Sequence, residues 1–146
     1  MFVSSACEHV RRTGGTKLYQ WDLELPGSSL LTFRAKASND VFIALSSEQS
    51  ARGDLYEILI GGWSNTQSVI RRSADGDPKE TAATPGILSA DELRGFWISW
   101  APDGTIAVGR EGEGSPFMQW QDPDPLPFQY FAYTVYGSAG LFRRPQ

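Results

Sequence analysis

The sequence predicts an all-β protein, an antiparallel β-sandwich of roughly nine short strands with almost no helix. Three observations carry this. Short apolar runs are separated by turn residues about every 8–14 positions. The chain holds 15 glycines and 9 prolines, and 12% of its residues are aromatic. Apolar spacing at the helical period of 3.6 is almost absent.

The strands follow in order from their own residues. Residues 17–21 open the series. In Leu30–Lys36, Leu31, Phe33 and Ala35 alternate with Thr32, Arg34 and Lys36, the period of a half-buried strand. Val41–Ser46 comes next, then residues 56–60, which end at Gly61 and Gly62. Residues 68–72 are closed by the turn-rich stretch 73–78. Residues 96–100 run into Ala101-Pro102-Asp103-Gly104, with 105–109 directly after it. A Pro-Asp-Gly turn between apolar runs signals a hairpin, because proline presets φ and glycine takes the left-handed position. Residues 117–121 follow the glycine-rich 110–115, and 128–136 end at Gly137. The one helical signal is Ser89-Ala90-Asp91-Glu92, a Ser-x-x-Glu capping box that Gly95 stops after a single turn. No linker or repeat divides the chain, so residues 1–146 read as one domain, with 1–16 as an N-terminal arm.

Size and charge bound the function. A chain of 146 residues buries roughly 70% of its extended surface and can support its own core. Lys and Arg number 13 against 17 Asp and Glu, a net charge of −4. That leaves no excess of cations to displace phosphate counterions, so no nucleic-acid partner is expected. No apolar run approaches the roughly 20 residues of a membrane helix, and membrane insertion is not expected. The opening residues lack the apolar stretch of a signal peptide. This suggests a cytoplasmic protein, one secreted by a non-classical route, or a mature fragment. Cys7 and His9 are single, which removes an internal disulfide and a Cys/His zinc site.

No nucleophile elbow, HExxH, Walker loop or CxxC is present. A Ser-His-Asp triad would depend on His9 in the arm. The Gly109–Gly114 stretch resembles a phosphate-binding turn only until Ser115 and Pro116 lead into another strand, whereas that role needs a helix N-terminus. It reads as a hairpin turn.

The aromatic residues point to binding. In 96–100, Phe96, Ile98 and Trp100 share one face while Trp97 and Ser99 share the other, so Trp97 is the better candidate for the outer surface. An exposed aromatic ring beside amide, guanidinium and carboxylate groups suits a sugar. The apolar face of a pyranose stacks on the ring and its hydroxyls bond the polar groups. Two segments supply this mixture: Trp63 and Asn65 leading to Arg71, and Trp120 with Asp122. Asp122 and Asp124 around Pro123 also offer oxygen ligands to calcium.

At these residues the sequence resembles a known family. Tyr56-Glu57-Ile58-Leu59-Ile60-Gly61-Gly62-Trp63-Ser64-Asn65 with Ser68-Val69-Ile70-Arg71 is similar to the signature of the farnesoic acid O-methyltransferase-like domain. So are Phe96-Trp97-Ile98-Ser99-Trp100, Ile106 to Gly109, Pro116-Phe117 with Trp120-Gln121-Asp122, and Gly137-Ser138-Ala139-Gly140. The resemblance runs from about Leu30 to Phe142. It implies methyl transfer from S-adenosylmethionine to a terpenoid acid, yet a methyltransferase of the common kind alternates strands and helices, and this chain does not. The family's occurrence in multidomain animal proteins implies a recognition module.

The resemblance marks Trp63, Asn65, Arg71, Trp120 and Asp122 but leaves their role open. They line a ligand site, or they build a corner in which Asn65 caps a turn and Arg71 ties strands through Asp122 or Glu57. In the latter case a site would lie in loops such as 47–54, 73–80 or 101–104. The expectation is a non-enzymatic, lectin-like module for a terminal sugar, a galactoside first. Its sugar-binding residues are Trp63, Asn65, Arg71, Trp97, Trp120 and Asp122, and it gains avidity as a homodimer. The alternatives are a protein-interaction module and an S-adenosylmethionine-dependent O-methyltransferase.

Overall fold

The computed structural model of the protein describes residues 8–13, 19–24, 29–135 and 140–145. These contain β1 (Glu8–Thr13), β2 (Gln20–Glu24), β3 (Leu30–Lys36), β4 (Val41–Ser46), β5 (Asp54–Gly61) and a one-turn segment α1 (Gly62–Asn65). Then come β6 (Gln67–Ser73), β7 (Pro78–Ala83), β8 (Arg94–Trp100), β9 (Thr105–Arg110), β10 (Met118–Gln121), β11 (Tyr130–Val135) and β12 (Gly140–Pro145). Two six-stranded sheets run β1-β12-β3-β8-β9-β10 and β2-β11-β4-β5-β6-β7. Their pairings are antiparallel. The chain is an all-β antiparallel sandwich.

β1, β7 and β12 go beyond the strands legible in the sequence. Residues 8–13 of the expected arm pair with β12 at the edge of the first sheet. β7 is a polar edge strand that begins at Pro78. Its inward positions are Glu80 and Ala82, with Ala82 against the core, so its exposure alternates but its sequence shows no apolar period of two, and an edge tolerates proline. The strand expected at 17–21 lies at Gln20–Glu24, with Lys17 and Leu18 outside the described residues, as are Cys7, Tyr136 and Gly137–Ala139. The helical turn expected at Ser89 does not form. The Ser89 hydroxyl accepts the amides of Asp91 (3.0 Å) and Glu92 (3.2 Å), but bends follow and β8 begins at Arg94. A capping hydroxyl stabilises such a bend equally well without a helix behind it.

The core lies between the sheets. Leu31, Phe33, Phe96, Ile98, Ile106 and Val108 of the first sheet face Ile43, Leu45, Ile58, Ile60, Ile70 and Phe131 of the second. Phe33 and Phe96 pair at 5.6 Å. The second sheet is also covered on its outer side. Phe42, Leu59 and Val69 pack with Tyr19, while Ala44, Leu55 and Ala132 pack with Tyr19, Trp21 and Ala51. That accounts for β4, which is buried at every position and reads as a continuous apolar run. The outer face of the first sheet alternates with solvent, as β3 shows from Leu30 to Ala35. The first sheet therefore offers the outer face on which a ring can meet solvent.

Candidate functional site

On that outer face two glycines make room for two larger side chains. Trp97 of β8 lies opposite Gly109 of β9. A Cβ at Gly109 would overlap Cε2 and Cζ2 of the Trp97 ring, so the indole rests directly on bare backbone. Its N–H donates to the carbonyls of Glu113 (2.9 Å) and Arg110 (3.1 Å), which fixes the orientation of the ring. One row along, Arg34 lies opposite Gly95. A Cβ there would collide with Glu111, whose amide donates to the Gly95 carbonyl (2.9 Å). Glu111 accepts two bonds from Arg34, both 2.8 Å. The Arg34 bonds hold the Glu111 carboxyl below the usual range and keep it ionised. Trp97, Arg34 and Glu111 thus form a shelf, a half-buried flat ring beside an exposed charged pair.

The other sequence candidates fall elsewhere. Trp63 is half exposed, in a turn where Trp63, Ser64 and Asn65 all have positive φ (50°, 59° and 63°). Left-handed backbone costs roughly 1–2 kcal/mol at each such residue, and surrounding contacts must hold it. Asn65 supplies them. Its side chain donates to the Leu88 carbonyl (2.9 Å) and accepts the Leu88 amide (3.0 Å). Asn65 is therefore engaged in the corner.

Arg71 lies on the outer side of the second sheet, bonded to Glu57 at 3.0 Å. Glu57 is fully buried and also accepts the Tyr19 hydroxyl (2.5 Å) and the Asp75 amide (2.9 Å). Burial, and then the Glu57 carboxylate, push the Tyr19 hydroxyl well above its usual pKa.

Trp120 is part-buried with its ring edge-on to Tyr56 (6.4 Å). Asp122 is buried and spent on the protein. It accepts the Tyr56 hydroxyl (2.7 Å), Arg72 Nε (2.7 Å) and the Asp124 amide (2.9 Å). Arg72 also donates to the Asp124 carbonyl (2.7 Å). This clamp ties the loop after β10 to β5 and β6. It sets a guanidinium where a calcium ion would need Asp122 and Asp124 together. Asp124 points into solvent, and no group of three or more His, Cys, Asp or Glu gathers among the described residues. Of the two expected partners of Arg71, the structure selects Glu57, and Asp122 goes to the neighbouring Arg72.

Burial works to raise the Asp122 carboxyl, but the bonds from Arg72, Tyr56 and Asp124 outweigh it and hold the group below its usual range. Such a carboxyl stabilises the fold above its unfolded value of about 3.9, and that contribution fades as pH falls through the folded value. Unfolding free energy measured by urea titration is expected to decline below about pH 4, with a shallower acid limb in Asp122→Asn.

A second concave feature lies at the end of the sandwich, a pocket of about 320 Å³. Trp100, Phe128 and Tyr56 form its aromatic walls, with Phe128 5.4 Å from Trp100 and 5.8 Å from Tyr56. Its rim includes Ala101, Pro102 and Gly104 of the 101–104 turn. Trp100 carried a signal in the sequence, since it shares β8 with Trp97 and faces the opposite side. Phe128 and the partners Arg34 and Glu111 carried none, because only the tertiary fold brings them in.

The family model described as farnesoic acid O-methyl transferase matches residues 8–144. The chain belongs to this family. Its signature residues Asn65, Arg71 and Asp122 are the clamps of the sandwich, while Trp97 lies on the exposed shelf. No curated protein matches the sequence. Among solved structures, the Bacillus licheniformis β-glucanase superposes with a TM-score of 0.54 at 13% identity, over 86% of this chain and 65% of that one. The chain thus spans about two thirds of that enzyme. A native glycosidic hydrolase gives 0.58 at 12% identity, over 100% and 80%. A galectin-like protein of unknown function from Bacillus subtilis gives 0.57 at 10%, over 93% and 87%. At such identities the similarity establishes a shared galectin-like sandwich fold.

Proposed function

We propose that this protein is a carbohydrate-binding, lectin-like module that holds a terminal sugar on the Trp97 shelf without turning it over. The observation that carries the reading is the indole laid flat on Gly109, locked by two hydrogen bonds, with Arg34 and Glu111 beside it. A fixed aromatic face binds the apolar side of a pyranose at little entropic cost, and the adjacent charged pair meets its hydroxyls. A galactoside, with one continuous apolar patch, suits the ring best. Names among the structural neighbours, two of them glycoside-cleaving and one galectin-like, are in keeping with a sugar ligand.

Binding without hydrolysis fits the carboxylates. A glycosidase needs one acid kept protonated beside a second carboxylate. Glu111 is instead ionised and locked to Arg34, and Glu57 is buried beneath its partners. Single sugar contacts are weak, so a homodimer presenting two shelves would supply the avidity.

The test is a glycan array with calcium and again with chelator, run beside Trp97→Ala and Trp97→Phe, with light scattering for the oligomer. Galactosides should bind in both buffers, weaken at least about tenfold in the alanine variant and partly recover in phenylalanine. A blank array with folded protein would overturn the reading in favour of a protein partner. A rise in melting temperature with S-adenosylmethionine would favour the methyltransferase.

A further inference from the structure

We infer that the pocket at the end of the sandwich is a second binding site, separate from the Trp97 shelf, for a small, uncharged, flat-ring molecule bearing a hydrogen-bond acceptor. Its volume of about 320 Å³ falls within the range of small-molecule sites. Its walls are aromatic and aliphatic: Trp100, Phe128, Tyr56, Ile106 and Leu126. Its polar side-chain groups are the hydroxyls of Ser29, Thr105 and Tyr56 and the indole N–H of Trp100, and no Asp, Glu, Lys, Arg or His lines it among the described residues. An ionised ligand would therefore lose its hydration with no opposite charge to replace it.

The polar groups sort into those already used, the Tyr56 hydroxyl and the Thr105 hydroxyl bonded to Asp103, and those held open, the Ser29 hydroxyl and the Trp100 indole N–H. The Tyr56 hydroxyl donates to Asp122 and accepts the Leu126 amide (2.9 Å), so this residue offers its ring alone. The indole N–H of Trp97 is consumed by two carbonyls, whereas that of Trp100 meets no acceptor among the described residues and stays open to solvent. An acceptor on the ligand would complete it.

The rim is rigid before anything binds. Gly104 has φ +92°, and a Cβ there would strike the Asp122 carbonyl. Its amide donates to Ala101 (3.0 Å) and its carbonyl accepts the Asp122 amide (2.9 Å). The Arg72–Asp122 clamp then fastens this loop to the second sheet. A pocket built rigid loses less entropy on binding, which is the property expected of a ligand site.

Saturation-transfer NMR with indole-3-carboxamide tests this, with indole-3-carboxylate as the charged isostere. The amide should receive saturation at millimolar concentration and the carboxylate at least about tenfold less. Trp100→Phe, which keeps the ring but removes the N–H, should weaken amide binding by roughly 3- to 10-fold. Ala101→Phe at the exposed rim should abolish it with the melting temperature unchanged, while Trp97→Ala leaves it intact. Absent transfer to the amide, equal transfer to both probes, or undiminished binding in Ala101→Phe would each overturn the assignment.

Discussion

Replacing Glu57 with alanine is expected to cost about 3–5 kcal/mol of stability, the price of breaking a buried ion pair from one side. Glu57 is fully buried among apolar residues on the outer side of the second sheet, and Arg71 is largely buried with it. Arg71 Nε already lacks a partner, so losing the Glu57 carboxylate leaves a largely buried guanidinium with the exposed Asp75 carboxylate, 3.8 Å away, as a weak substitute. The Tyr19 hydroxyl and the Asp75 amide lose their acceptor in the same step. Removing both charges is a different change. Glu57→Leu with Arg71→Met should come within about 2 kcal/mol of the parent, because apolar residues of similar volume replace the pair without an uncompensated charge. Urea denaturation of both variants beside the parent checks this. A single-variant loss below about 1 kcal/mol would mean that solvent reaches the pair after all.

Gly109→Ala should separate stability from binding. The added methyl group occupies space now filled by the Trp97 indole, so the ring must lift and surrender its bonds to Arg110 and Glu113. Overpacking of this kind costs about 1–3 kcal/mol. The larger effect falls on sugar binding, which should drop by about tenfold or more as the stacking face tilts away. A double-mutant cycle isolates the cause. In a Trp97→Ala background the methyl has nothing to displace, and Gly109→Ala should become nearly neutral for stability. Near-ultraviolet circular dichroism, with denaturation and galactoside titration, reads both quantities.

Much of this protein was legible in its sequence. The alternation in Leu30–Lys36 and the Pro-Asp-Gly turn before Thr105 each specify a structure of short range, a pleat or a reversal that neighbouring residues determine together. The outward direction of Trp97 follows from the same period of two. β7 escaped because a polar edge strand is held by hydrogen bonds to β6, and backbone hydrogen bonds leave no side-chain pattern.

What the sequence could not decide was which recurrent residues hold the fold and which face a ligand. Arg71 and Arg72 are adjacent, and strand alternation sends them to opposite faces of β6, one to Glu57 and the other to Asp122. Asp122 has the make-up of a sugar or calcium ligand in the sequence, but in the fold it accepts the hydroxyl of Tyr56, 66 positions earlier in the chain. The same holds for the shelf, where Gly109 and Gly95 matter for the side chains that rest on them rather than for their own conformation. Local periodicity thus determined the strands and which way their side chains point. Partners distant in sequence, brought together only by packing the two sheets, decided which of those side chains remain open to bind.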